Sequence, residues 1–106
     1  MFVEIANKVD LQSQIDKAGK DLIILEFYAP WCGSCKMVET KVNDLAKEHA
    51  TVPFLRINVD EMEELAEEYE VTAMPTFIFI KNREVLATFS GTKMDKVIDA
   101  IVKYKQ

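Results

Sequence analysis

The run Leu22-Ile23-Ile24-Leu25-Glu26-Phe27-Tyr28 constrains this chain more than any other stretch. A strand of nearly continuous apolar residues must be covered on both faces, so it belongs inside a sheet with a layer above and a layer below. Its single charge, Glu26, is therefore anomalous. A chain of 106 residues has room for one such core and little more. Residues 1–106 accordingly read as a single domain. The apolar fraction of 49% and charged fraction of 29% match ordinary globular usage and exclude a low-complexity or disordered chain.

Around that strand, strand-like and helix-like stretches alternate. After the apolar start Phe2–Ile5, Leu11, Ile15 and Ala18 recur at helical spacing, with Asn7 as N-cap and Gly19 as the stop. Val38, Val42, Leu45 and Ala46 share one face of a second helix. Val52 to Val59 reads as a strand, and Met62, Leu65, Ala66 and Tyr69 as a third helix. Beyond Pro75 a hairpin is expected: Thr76–Lys81, a turn at Asn82-Arg83, then Val85–Ser90. Met94, Val97, Ile98 and Ile101 mark a last helix. The order β-α-β-α-β-α-β-β-α predicts an α/β protein. Its sheet should be mostly parallel, with helices on both faces and an antiparallel hairpin at the end. The methionines fall at core-facing helical positions, Met74 excepted.

Eighteen acidic against 13 basic residues give a net charge of −5, which sets nucleic-acid binding aside. No apolar run approaches the ~20 residues of a membrane span. The start MFVEIANKVD has no basic n-region or apolar h-region, so no signal peptide is expected. Cys32 and Cys35 are the two cysteines, three positions apart. A disulfide closing so short a loop constrains the unfolded chain little. A closed zinc site needs four ligands, and His49 supplies only a third, so no metal is expected. His49 itself reads as a helix-end cation complementing the dipole, with no catalytic part.

The cysteine pair reads instead as chemistry. Trp31-Cys32-Gly33-Ser34-Cys35-Lys36 sits where the apolar strand ends and a helix begins. Unpaired N–H groups and the partial positive charge of a helix start favour a thiolate. Lowering a thiol pKa from ~8.5 to near 7 raises the thiolate fraction at neutral pH from a few per cent to about half. Cys32 precedes the helix and should feel this most; Cys35, one turn in, is expected to be the better buried. The spacing lets Cys35 attack a mixed disulfide formed at Cys32, exchanging two electrons with no bound cofactor.

At these residues the sequence resembles the thioredoxin family. Glu26-Phe27-Tyr28-Ala29-Pro30-Trp31-Cys32-Gly33 is similar to the family's strand and active-site motif, and Arg56-Ile57-Asn58-Val59-Asp60 to its central strand end. Thr72-Ala73-Met74-Pro75-Thr76 resembles its cis-proline loop and Phe89-Ser90-Gly91 its late glycine turn. The blocks span nearly the whole chain. The resemblance implies a thioredoxin fold, a central five-stranded mixed sheet flanked by four helices. It implies a redox-active Cys32–Cys35 disulfide, and a cis Met74–Pro75 bond beside it whose backbone binds an extended substrate. Trp31, Met74 and Gly91 would border the groove, with Gly33, Ser34 and Lys36 as active-site neighbours. The activity implied is cytoplasmic protein-disulfide reduction, with Cys32 as nucleophile and Cys35 as resolving thiol. Glu26, a buried acid with a raised pKa, would accept the Cys35 proton through a water. Electrons would come from NADPH through a flavoprotein thioredoxin reductase. Peroxiredoxin, methionine sulfoxide reductase and ribonucleotide reductase would be typical substrates of a monomeric carrier.

Four positions depart from the family pattern: Glu26 stands for the commoner Asp, Ser34 for Pro, Thr40 for a helix-kinking Pro, and Arg83 for a hairpin Gly. The first eight-residue block also suits a catalytic domain of protein disulfide isomerase, so an oxidase or isomerase is the alternative function. Residue 34 is Ser rather than that family's His, and the last residues Lys103-Tyr104-Lys105-Gln106 are no retention signal. A purely structural subunit is a third class, which an intact cysteine pair disfavours. Seven of the eleven residues from Asp60 to Glu70 are acidic, which reads as a solvated helix face.

Overall fold

The apolar run becomes β2 (Ile23–Tyr28), the middle strand of a five-stranded sheet in the order β1-β3-β2-β4-β5. The computed structural model describes residues 2–106. In chain order its elements are β1 (Phe2–Glu4), α1 (Lys8–Ala18), β2, α2 (Gly33–Glu48), β3 (Phe54–Asn58), α3 (Glu63–Glu68), β4 (Thr76–Lys81), β5 (Glu84–Ser90) and α4 (Met94–Tyr104).

β1 and β2 each pair with β3 in parallel, whereas β2–β4 and β4–β5 are antiparallel. The sheet is therefore evenly mixed, not mostly parallel as the alternation of elements suggested. Alternation counts crossovers but does not say which way a strand enters the sheet. The loop after α3 brings β4 in against the direction of β2.

Strand alternation divides the core in two. Ile24, Phe54, Phe77 and Phe79 face α2 and α4, meeting Val38, Val42, Leu45, Val97 and Ile101. Ile23, Leu25, Phe27, Leu55, Ile57, Ile78 and Ile80 face the other way, onto Leu11 and Ile15 of α1 and Leu65 of α3. Continuous burial of β2 follows from its place between both layers.

Local signals set the ends of the elements. Asn7 Oδ1 accepts the Asp10 N–H at 2.8 Å, capping α1. Gly19, at φ 58°, ends it. β3 starts later than the apolar pattern implies: the Val52 N–H closes the turn after α2 by donating to His49 O at 2.9 Å, and Pro53 has no N–H to offer a ladder. In the β4–β5 hairpin both turn residues are left-handed, Asn82 at φ 54° and Arg83 at φ 63°. A two-residue turn of this hand matches the twist of the strands, but only Asn and Gly take it cheaply.

His49 is the C-cap of α2, and its Nδ1 lies 3.0 Å from Lys105 Nζ. A lysine ammonium only donates, so Nδ1 is the acceptor in this contact, and Lys105 brings a cation to the same helix end. Met37 is not core-facing: it is 76% exposed on α2, two residues beyond Cys35. The acidic residues from Asp60 to Glu70 are all exposed. One of them, Glu68, accepts from Lys8 Nζ at 2.5 Å and ties α3 to α1.

Candidate active site

β2 ends at Tyr28 and α2 starts at Gly33, leaving Cys32 as the N-cap of α2. An N-cap side chain usually offers oxygen to the first free amides. Here sulfur does so: Cys32 Sγ accepts the Cys35 N–H at 3.1 Å. The cysteines are joined as a disulfide, their Cα atoms 5.3 Å apart. They pack with Ala29 in a small apolar cluster that Tyr28, Val59 and Met74 border. The two are buried alike, Cys32 at 6% exposed and Cys35 at 7%, so Cys35 is not the more buried. What distinguishes them in the disulfide is the helix: Cys32 receives the cap hydrogen bond, and Cys35 lies within the first turn.

The surrounding residues come from four loops. Trp31 is 66% exposed, yet its indole Nε1–H is fixed on the Asp60 carboxylate at 2.9 and 3.1 Å. Asp60 is held in turn by its own N–H, which donates to Oδ1 of buried Asn58 at 3.0 Å. The Met74–Pro75 peptide bond is cis. Met74 touches the cysteine cluster, and Pro75 O accepts the Gly91 N–H at 2.9 Å. Gly91 has φ 100°, a conformation other residues rarely adopt. Thr76 Oγ1 donates to Ala73 O at 2.5 Å, so Ser90 is the donor in their 2.8 Å contact. Gly33, Ser34 and Lys36 lie exposed along the first turn of α2.

Glu26 is 2% exposed on the α2 side of the sheet. Among the described residues its hydrogen-bond partner is not a cysteine but Arg56, whose Nε donates to Glu26 Oε1 at 3.1 Å. Burial pushes the Glu26 carboxyl above its ordinary range, and the Arg56 guanidinium pulls it part of the way back. Arg56 and Asp60 entered the sequence reading only within a motif, with no role at the site given to either. A signal for Arg56 existed: it is the one charge inside the apolar stretch Phe54-Leu55-Arg56-Ile57, as Glu26 is in β2. Two opposite charges, each alone in a buried strand, are natural partners.

Two cysteines so joined, with a helix N-terminus on one sulfur, can take up and release two electrons by exchange with another disulfide. Among the described residues no group of three or more His, Cys, Asp or Glu side chains is arranged to hold a metal. Nor is any helix long and apolar enough to cross a membrane.

Comparison with known proteins gives one answer. The thioredoxin family model matches residues 2–104. The chain is 42% identical to thioredoxin-1 of Drosophila yakuba over 103 residues, 96% of each protein. It is 37% identical to Homo sapiens thioredoxin over 97 residues, 92% of each. Among solved structures, Fasciola hepatica thioredoxin superposes with a TM-score of 0.92 at 41% identity, covering 96% of this chain and 98% of that one. A thioredoxin from Nicotiana alata gives a TM-score of 0.94 at 31% identity, covering 99% and 93%. Matched over this length, with Cys32 of its cysteine pair capping α2, the chain belongs to the thioredoxin family and is a thiol–disulfide oxidoreductase.

Proposed function

We propose that the protein is a reductant of protein disulfides, acting as one domain over residues 1–106, with Cys32 as nucleophile and Cys35 as resolving thiol. The observation that carries this reading is the Cys35 N–H on Cys32 Sγ at 3.1 Å. A donor and a helix dipole directed at one sulfur stabilise its thiolate more than that of its partner. The Cys32 thiolate attacks a substrate disulfide, forming a mixed disulfide and releasing one substrate thiolate. Cys35 loses its proton and attacks Cys32 Sγ, which closes the Cys32–Cys35 disulfide and releases the second. Two electrons pass to the substrate. Glu26 accepts the Cys35 proton, through a water, because burial raises its carboxyl pKa and makes it a better proton acceptor than an ordinary glutamate.

The Met74–Pro75 backbone and Gly91 bind the substrate strand flanking its disulfide, beside exposed Trp31. Among the described residues nothing occupies the space where a Gly33 side chain would stand. Glycine there leaves Cys32 approachable, between neighbours Ser34 and Lys36. The disulfide is reset by a flavoprotein thioredoxin reductase using NADPH, and the protein itself binds no cofactor. Family membership supports peroxiredoxin, methionine sulfoxide reductase and ribonucleotide reductase as substrates, and a monomer in cytoplasmic electron transport and redox homeostasis as the setting.

Equilibrating the Cys32/Cys35 couple with glutathione tests the direction of the reaction. A potential close to about −270 mV supports a reductase, whereas one close to about −180 mV belongs to an isomerase-like protein. Activity retained when both cysteines are replaced by serine would revive the structural-subunit reading.

A further inference from the structure

Glu4 of β1, Arg56 of β3 and Glu26 of β2 stand opposite one another in register. One guanidinium thus lies between two carboxylates, only one of which is buried. With a side chain 25% exposed, Arg56 has a route to solvent and a competitor for its charge. Tyr28 bears on both. Its ring lies under the guanidinium, 4.0 Å from Cζ, a stacking distance at which the cation is attracted to the aromatic face. Its hydroxyl donates to Glu4 Oε2 at 2.7 Å and so occupies the competing carboxylate. Phe2 adds a second ring 5.6 Å from Cζ.

We propose that Tyr28 is a positioning residue: by stacking under Arg56 and engaging Glu4, it commits the Arg56 guanidinium to Glu26 and so sets the pH at which Glu26 changes protonation. The other surroundings of Glu26 leave Arg56 this influence. Toward Glu26, α2 presents the carboxylate of Glu39, β4 presents Phe77 opposite, and α4 covers this face with apolar side chains. Glu39 and Glu4 add to the effect of burial, and Arg56 is the cation that opposes it. Burial and the bond to Glu4 push the Tyr28 phenol up to about 12, so it stays a donor throughout the range in which Glu26 titrates. The inference builds on the proton-acceptor role of Glu26, but its first readout does not depend on that role.

The experiment is an NMR titration of the Glu26 carboxyl in oxidised protein carrying ¹³C-labelled glutamate. Tyr28→Leu removes the ring and should raise the Glu26 midpoint by about half a pH unit or more. Tyr28→Phe keeps the ring but frees Glu4 to compete, and should shift the midpoint the same way by less. In an Arg56→Met background, which raises the midpoint by itself, Tyr28→Leu should add nothing. Midpoints unchanged in both Tyr28 variants, or an equal shift from Tyr28→Leu without Arg56, would overturn the proposal. If Tyr28→Leu does not fold, Tyr28→Phe with and without Arg56 decides it. The pH profile of mixed-disulfide resolution should follow the carboxyl midpoint. A profile that stays put while the midpoint moves would leave the positioning intact and remove Glu26 from the proton transfer.

Discussion

The backbone N–H of Cys35 points at the sulfur of Cys32, 3.1 Å away, so the first cysteine caps the helix turn that carries the second. The two cysteine residues are equally buried in the disulfide, and residue exposure does not tell them apart. The helix start does. An amide donor and the dipole of α2 both favour negative charge on Cys32.

From that asymmetry, Cys35→Ser should accumulate a covalent mixed disulfide with a protein substrate, and Cys32→Ser should accumulate none. Mass spectrometry of the trapped species reads the attachment site. Substrate held on Cys35 would reverse the assignment.

Ser34 occupies the second helical position of α2, where a proline is tolerated. Proline has neither an N–H nor a hydroxyl to give the reduced Cys32 sulfur. Ser34→Pro should therefore destabilise the thiolate and lower the reduction potential. One charge-assisted hydrogen bond of about 1.5–3 kcal/mol, partly offset by solvation, corresponds to a shift of roughly 20–60 mV. Equilibration of both proteins with glutathione measures it, and an unchanged or higher potential in the proline variant rejects the idea.

Glu26 makes stability depend on pH in a defined direction. Its folded pKa lies above the ordinary value of 4.5. Between the two values the native state therefore binds more protons than the unfolded chain. Its contribution is fully present below 4.5 and is lost as pH rises through the folded value. Glu26→Gln keeps an acceptor for Arg56 but cannot ionise. Urea unfolding of the oxidised proteins should show the Gln variant gaining on the wild type as pH rises across this window. Parallel pH curves would mean that the carboxyl is not raised.

Arg83 at φ 63° carries strain that glycine would not. The relief is about 1–2 kcal/mol, less the roughly 0.5–1 kcal/mol of extra unfolded-state entropy that glycine brings. The 3.5 Å ion pair of Arg83 with Asp16 joins two mostly exposed side chains, and losing it costs little. Arg83→Gly should stabilise the protein by about 0.5–1 kcal/mol, raising Tm by roughly 2–8 °C. Arg83→Ala, equally strained, should give no such gain by calorimetry.

How much of this was legible beforehand depended on the range of the interaction responsible. The seven residues from Leu22 to Tyr28 required a strand covered on both faces, Asn7 and Gly19 marked the ends of a helix, and the spacing of Cys32 and Cys35 at a strand-to-helix junction announced their chemistry. These signals are local: periodicity, capping and reach along one piece of chain are properties of consecutive residues. Tertiary structure decided what depends on which strands become neighbours. The direction of β4, the equal burial of the cysteines, the Trp31–Asp60 contact and the Lys105–His49 pair all join distant parts of the chain. So does the row Glu4–Arg56–Glu26, with Tyr28 under the guanidinium. Sequence alone showed Glu26 as a charge in the wrong place. Only the placing of β3 between β1 and β2 supplied the cation that makes its burial tolerable, because a charge out of water is stabilised by whatever the fold brings within a few ångströms of it.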